Sequence, residues 1–456
     1  MTLRLLTQRL GLGRQTLDIT HGRLRDNIWQ LSWPLMVSQV LSFFPGLYDA
    51  YWLGRLGPYG LAAATLAMSL RVTMISVLMA LSGASGAVIA RYVGARDHEQ
   101  ANLAASQAVL LFVVAAGSLG IIGLIFAEPL LTLVGASGDL LAPTVAYARV
   151  IFVGLIAMEL VPSMGGMLSS AGNPQFSLQM NLLALSSFLV LEPVFIALGL
   201  DVSGAALALI TANAIGMVYG LYLLSSGQAA VRIEFRLLRP DWTMMKRILR
   251  IAGPGVLQRG LPNLANTVLM RFMAAYGAAP LAAFSLFGRL VGLLLVPAGG
   301  LSSAAPAMVG QNLGANQPAR AARAGWLIAG GAVVSSVALL GLLTVLAGPV
   351  FAWFTDDPAT IATAVHVIGV LALYRVLMAL GVAMDGGLTG AGDTVSPMVI
   401  NILALWVVQI PVVWLFSTYL RWGADGIWWG LVIGMGVQSL LLTLRFHQGS
   451  WQRLRI

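Results

Sequence analysis

Ten ionisable side chains stand inside stretches that are otherwise apolar: Asp49, Arg71, Arg149, Glu159, Glu192, Arg259, Arg271, Arg289, Arg375 and Asp385. A charge at the centre of a membrane-spanning helix costs roughly 2.5–3.5 kcal/mol on insertion scales, so each of these needs a reason to be there. Asp49 and Glu192 carry the sharpest chemistry. Asp49 lies about four residues and Glu192 about six residues from one end of its stretch; at ~1.5 Å per residue, both sit roughly 6–9 Å below the same boundary. Neither has a basic neighbour within one helical turn. Ionising a carboxyl in apolar surroundings is costly, so such a pair can take up and release a proton or hold a Na⁺ ion. The bland alternative is two carboxyls facing a water-filled vestibule. Pro34, fifteen residues before Asp49, removes a helical hydrogen bond and permits a kink, which either turns protonation into bending or only helps packing. Tyr147, placed near the same depth, is either a hydrogen-bond partner of the acids or an anchor for lipid headgroups. Arg259, Arg289 and Arg375 either pair with Asp385 or Glu159 or line a cavity, and Arg271 snorkels from a helix end.

The elements that must position these groups are membrane helices. Hydrophobic residues make up 58% of the 456 and charged residues 9%, against roughly 25% charged in a soluble domain. Apolar runs predict spans at 28–53, 60–84, 101–126, 140–165, 176–198, 203–225, 248–276, 281–305, 322–346, 360–385, 394–418 and 424–445. The expectation is an all-α membrane protein of twelve transmembrane helices. Residues 1–27 form an N-terminal tail, 28–227 a first lobe, 228–247 a polar connector, 248–445 a second lobe and 446–456 a C-terminal tail. The N-terminal tail either lies along the membrane through Leu3, Leu5, Leu6 and Leu10 or is unstructured.

The two lobes read as one unit used twice. Pro34 recurs as Pro254, Gly57 as Gly277, Leu61-Ala62-Ala63 as Leu281-Ala282-Ala283, Gly94-Ala95 as Gly314-Ala315, Pro129 as Pro349 and Ala171-Gly172 as Ala391-Gly392, always 220 residues apart. An even number of spans per lobe gives both lobes the same orientation, so the pseudo-twofold axis runs along the membrane normal. The basic residues set that orientation. Arg55 and Arg421 are the only two in outer loops, which instead hold Glu128, Asp139, Asp201, Asp356, Asp357 and Asp425. Both termini are therefore expected in the cytoplasm, in a cytoplasmic (inner) membrane. The formal charge of +9 then reflects topology and anionic headgroups, not nucleic acid. A twofold repeat in so apolar a chain is the pattern of a transporter with its path between halves.

Enzyme chemistry is poorly represented. With no cysteine and four scattered histidines (His21, His98, His366, His447), no cofactor or resident metal is expected. Gly83-Ala84-Ser85-Gly86 and Gly135-Ala136-Ser137-Gly138 fit the G-x-S-G pattern of intramembrane serine proteases. That chemistry also needs a facing histidine, and small residues at these places are better explained by close helix packing.

The motifs, taken in order, resemble those of the multidrug and toxic compound extrusion (MATE) family, over about residues 25–445. They are the run from Leu47-Tyr48-Asp49 to Gly57, Val93-Gly94-Ala95-Arg96, Val309-Gly310-Gln311-Asn312-Leu313-Gly314-Ala315, and Leu388-Thr389-Gly390-Ala391-Gly392-Asp393-Thr394. The resemblance implies a two-lobed twelve-helix fold acting as a monomer. It implies export of small amphipathic, often cationic, compounds in exchange for H⁺ or Na⁺, with a lipid-linked saccharide flippase of the same superfamily as the alternative. Asp49 and Leu191-Glu192-Pro193 are similar to the cation site of the DinF-like branch, with Glu in place of Asp. That branch often has Asn where this chain has Phe188 and Gly165, which favours H⁺ over Na⁺. The branch with acids in spans 7 and 10 is matched less well, because Gln258-Arg259 and Met378 stand near those places.

Overall fold

The computed structural model describes residues 17–55, 58–277, 280, 282–285, 288, 292, 295–352 and 357–454. Among them the regular elements are all helices. Seven are long and apolar enough to cross a membrane, or eight if a bent pair counts as one span. One of the seven runs for 52 residues, Pro174–Ser225. A straight helix of that length would reach ~78 Å, more than twice the roughly 30 Å of a hydrocarbon core. Gly199 (φ 80) and Asp201 (φ 46) instead turn the chain back. The Pro174–Phe195 and Asp201–Ser225 helices then pack side by side, matching expected spans 5 and 6. Trp242–Ala274 is one 33-residue helix, but polar residues such as Gln258, Arg259, Asn263 and Asn266 keep it from being apolar enough to count among the seven. Part of expected span 8, between 281 and 294, and the proposed amphipathic tail through Leu10 lie outside the described residues.

Two spans differ from the sequence expectation. Span 1 is two helices, Leu24–Leu41 and Phe44–Arg55. The helix runs through Pro34 and breaks at Ser42–Phe43, just ahead of Pro45-Gly46. Pro45 has no N–H and disfavours helical geometry at the residue before it. The helix is thus interrupted ahead of Pro45 and runs unbroken through Pro34. Span 2 continues past residue 84: Pro58–Met74 and Ser76–Gly94 meet at Ile75, and the turn comes only at Ala95.

The 220-residue register survives in three dimensions. Ser76–Gly94 corresponds end to end with Val296–Gly314, and His98–Ile125 with Pro318–Val345. The turns match as well: Arg96 and Asn316 both adopt φ 58, and Gly172 and Gly392 adopt φ 89 and φ 86. The chain forms two compact units, and their limits keep the same register. One comprises 1–19 and 37–256, the other 20–36 and 257–456. Each division falls inside a helix, two residues after Pro34 and Pro254 respectively. The limits differ from a division in chain order, at 28–227 and 248–445, at the Leu24–Leu41 and Trp242–Ala274 helices.

In the first unit the polar connector is pinned by side-chain amides. Gln107, fully buried, donates to the carbonyls of Leu237 (2.6 Å) and Arg239 (2.8 Å) and accepts from the Asp241 N–H at 3.0 Å. Asn102 and Asn173 accept from the N–H groups of Arg232 and Ala230. In the second unit, Asp393 caps the Val395–Asn401 helix through the Ser396 N–H (3.1 Å) and receives Arg445 Nη2 at 2.8 Å.

Close helix packing depends on glycines. A Cβ at Gly390 would stand 2.3 Å from the Pro306 carbonyl oxygen, whereas one at Gly330 would meet nothing within 4 Å. Gly390→Val should therefore lower the stability of detergent-purified protein by about 1–3 kcal/mol through overpacking. Gly330→Ala should be neutral or mildly stabilising, because Ala is the better helix former. Thermal melting distinguishes the two, and equal losses would contradict this packing.

Candidate cation site

The first unit holds the candidate site, and its assembly starts from a proline. Pro193 follows Glu192 inside the Pro174–Phe195 helix. Having no N–H, it leaves the Leu189 carbonyl without its usual donor four residues on. The Tyr48 hydroxyl supplies one, at 3.0 Å. The Tyr48 ring also meets Phe188 edge-on at 6.2 Å, and both belong to a cluster with Leu191, Phe195 and Ala208. Docking Tyr48 brings its neighbour Asp49 near Glu192, close enough for the two carboxyls to act on each other electrostatically. Two carboxylates present only acceptors, so a close pair calls for a proton or a cation between them. Glu192 is fully buried, and neither of its carboxyl oxygens has a donor among the described residues.

Tyr147 is fully buried in the Leu141–Val153 helix, which excludes the headgroup-anchor reading. It lies within Coulombic reach of Asp49, Glu192 and Arg71, and its hydroxyl has no partner among the described residues. Pro34 is buried in the Leu24–Leu41 helix. It groups with the second unit, whereas Asp49 groups with the first.

The remaining charges distribute differently from the expectation. Glu159 is bonded by Arg71, and among the described residues neither Arg259 nor Arg375 pairs with it. The helix carrying Glu159 bends by 51° from the one carrying Tyr147, and the bend is at Gly154. There a Cβ would come within 2.2 Å of Ile210. Asp385 accepts from Gln258 Nε2 at 2.5 Å, with Arg259 close enough to act on it electrostatically. Asn401 donates to the Gln258 carbonyl at 2.9 Å, and Gln438 donates to Asn401 at 2.5 Å. Sequence reasoning missed this amide network, because Gln and Asn in an apolar run carry no charge to flag them. Arg375 lies beside the Tyr374 ring and donates to the Met378 sulfur at 3.5 Å. Arg289 lies outside the described residues. Ser85, of the G-x-S-G pattern, is buried and donates to the Leu81 carbonyl at 2.8 Å. His366 pairs with Asp425 at 3.2 Å, both exposed in the second unit.

At offset 220 the partners of Asp49 and Glu192 are Leu269 and Val412. Leu269 is a core residue of the second unit. A duplicated scaffold thus bears an acid pair in one copy. The MatE family model matches twice, over residues 34–194 and 254–415.

The chain belongs to the MatE family.

Its matched segments begin 220 residues apart, in the register of the repeat. Among curated MatE relatives, it is 24% identical over 442 residues to the probable multidrug resistance protein NorM of Thermotoga maritima, covering 94% of each chain. It is 27% identical over 418 residues to an FAD transporter of Shewanella oneidensis, covering 90% of each. A crystal structure of MATE in the bent conformation superposes with a TM-score of 0.89 at 25% identity, over 95% of this chain and 98% of the other. The chain is thus a MATE family transporter and a multi-pass membrane protein.

Removing the Tyr48 hydroxyl tests the assembly. Tyr48→Phe removes the one hydroxyl donor to the exposed Leu189 carbonyl, at a cost of about 0.5–1.5 kcal/mol, the net worth of a typical hydrogen bond. Lower thermal stability together with weaker coupled transport is expected. A variant equal to wild type in both would contradict this account of how the acids are brought together.

Proposed function

We propose that this MatE transporter exports amphipathic, often cationic, compounds out of the cytoplasm in exchange for a cation taken up at Asp49 and Glu192. The observation that carries the reading is the facing acid pair in the first unit. Glu192 is buried and Asp49 half-buried; the pair is held by Tyr48 on the Leu189 carbonyl and lacks a counterpart in the second unit. Multidrug names among the relatives support the substrate class.

H⁺ is the coupling ion we favour. A dehydrated cation needs several oxygens around it. Here two carboxyls and the Tyr147 hydroxyl are at hand, while Phe188 and Gly165 offer no side-chain oxygen. A proton needs only the carboxyls. In the proposed cycle a proton from outside neutralises the pair, substrate leaves outward, and the proton is released inside. Both termini lie in the cytoplasm of an inner membrane, by the placement of the basic residues.

A second reading has one observation in its favour. Arg259 and Arg375 lie in the second unit's apolar helices, suited to a pyrophosphate on a lipid-linked saccharide. Headgroup flipping in proteoliposomes without drug transport would favour it.

The direct test of the exporter reading is Asp49→Asn. Expression and thermal stability should stay at wild-type levels while drug resistance in a pump-deficient host falls to that of the empty vector. Full resistance in this variant would overturn the proposed mechanism.

A further inference from the structure

The Arg71–Glu159 ion pair takes no part in the cycle above. Arg71 stands in the last turn of the Pro58–Met74 helix and Glu159 in the Leu155–Ser170 helix, with side-chain exposures of 19% and 6%. Such a pair adds little to stability, because desolvation offsets the Coulombic gain. Its position therefore calls for another explanation, and the surroundings supply one. Tyr147 is within Coulombic reach of Arg71 on one hand and of Asp49 and Glu192 on the other. Arg71 Nε, the Tyr147 hydroxyl and both Glu192 carboxyl oxygens are buried without a hydrogen-bond partner among the described residues. Buried polar atoms left unpaired cost about 1–3 kcal/mol each. Four such atoms on three side chains left over in one neighbourhood fit a site that uses them in a second arrangement.

Given the acid pair as the cation site, we propose that Arg71 is its resident counter-charge. Glu159 holds the guanidinium while a cation occupies Asp49 and Glu192. When the cation leaves, Arg71 turns past Tyr147 toward the acids and stands in for it. The alternation keeps the apolar interior near electroneutral in both states, where an uncompensated charge is most costly. The other elements on this neighbourhood leave the role to Arg71. The Asp201–Ser225 helix contributes Ala208 and Ala212, the Phe44–Arg55 helix adds Tyr48, whose hydroxyl is committed to Leu189, and Arg149 is exposed.

The two partners of this pair must then affect cation binding in opposite directions, which a purely structural pair does not do. The readout is the external cation activity giving half-maximal drug exchange in proteoliposomes. Glu159→Gln frees Arg71 to compete, and should raise that activity about tenfold; Arg71→Gln removes the competitor, and should lower it about tenfold. Arg71→Lys, which keeps the charge, should stay close to wild type. If Arg71→Gln fails to fold with Glu159 left alone, the double variant Arg71→Gln/Glu159→Gln should show the same lowering. Shifts of one sign in both single variants, or none, overturn the counter-charge role. Asp49→Asn measured in parallel separates the two readings: if it abolishes exchange while the Arg71 and Glu159 variants do not move the half-point, only this inference fails.

Discussion

One carbonyl oxygen ties the helices that carry the two acids of the first unit. Pro193 strips the Leu189 carbonyl of its helical donor, and a backbone acceptor in an apolar span has no water to replace it. Tyr48 satisfies it and in doing so fixes the helix that carries Asp49. The acid pair is thus a consequence of backbone accounting. The residue that makes the helix imperfect stands next to one acid, and the residue that repairs it stands next to the other. The break at Ser42–Phe43, imposed by Pro45, lets the short Phe44–Arg55 helix take the angle this docking requires.

Much of the scaffold is duplicated, although the breaks at Ser42–Phe43 and Gly154 have counterparts inside the continuous Trp242–Ala274 and Pro358–Gly390 helices. Helix ends, turn glycines and even the limits of the compact units recur at 220. Chemistry does not follow. Leu269 packs in the second unit's core where Asp49 carries charge in the first. The second unit instead buries an amide network around Asp385 and an ion pair of Asp393 with Arg445. The Asp385 and Asp393 groups are saturated by neighbours within their own unit, whereas among the described residues Glu192 and Tyr147 keep polar atoms unpartnered, as Arg375 and Gln409 of the second unit also do. Saturation suits a structural element, and unpartnered groups suit one that changes partners.

Most of the fold was legible because membrane helices announce themselves by apolar length, and the repeat is visible as a fixed offset. The acids were legible because a charge in an apolar run is rare. Three features were not. The Pro45 break was hidden behind Pro34, since either proline satisfies the same rule and only packing decides. The partner of Glu159 could not be read, because Arg71 is 88 residues away in sequence and reaches it through the bend at Gly154. The Gln258–Asn401–Gln438 network gave no charge signal at all. Each miss concerns which groups meet across helices, and a helix's own periodicity carries no information on that.

The central claim is that coupling resides in the acid pair of the first unit and nowhere in the second. The most direct measurement is drug exchange in proteoliposomes, with pH and Na⁺ gradients imposed separately, comparing wild type with Glu192→Gln and Asp385→Asn. The account predicts that the pH gradient drives wild type and Asp385→Asn alike, and that Glu192→Gln responds to neither gradient. Gradient-driven exchange retained in Glu192→Gln and lost in Asp385→Asn would contradict it.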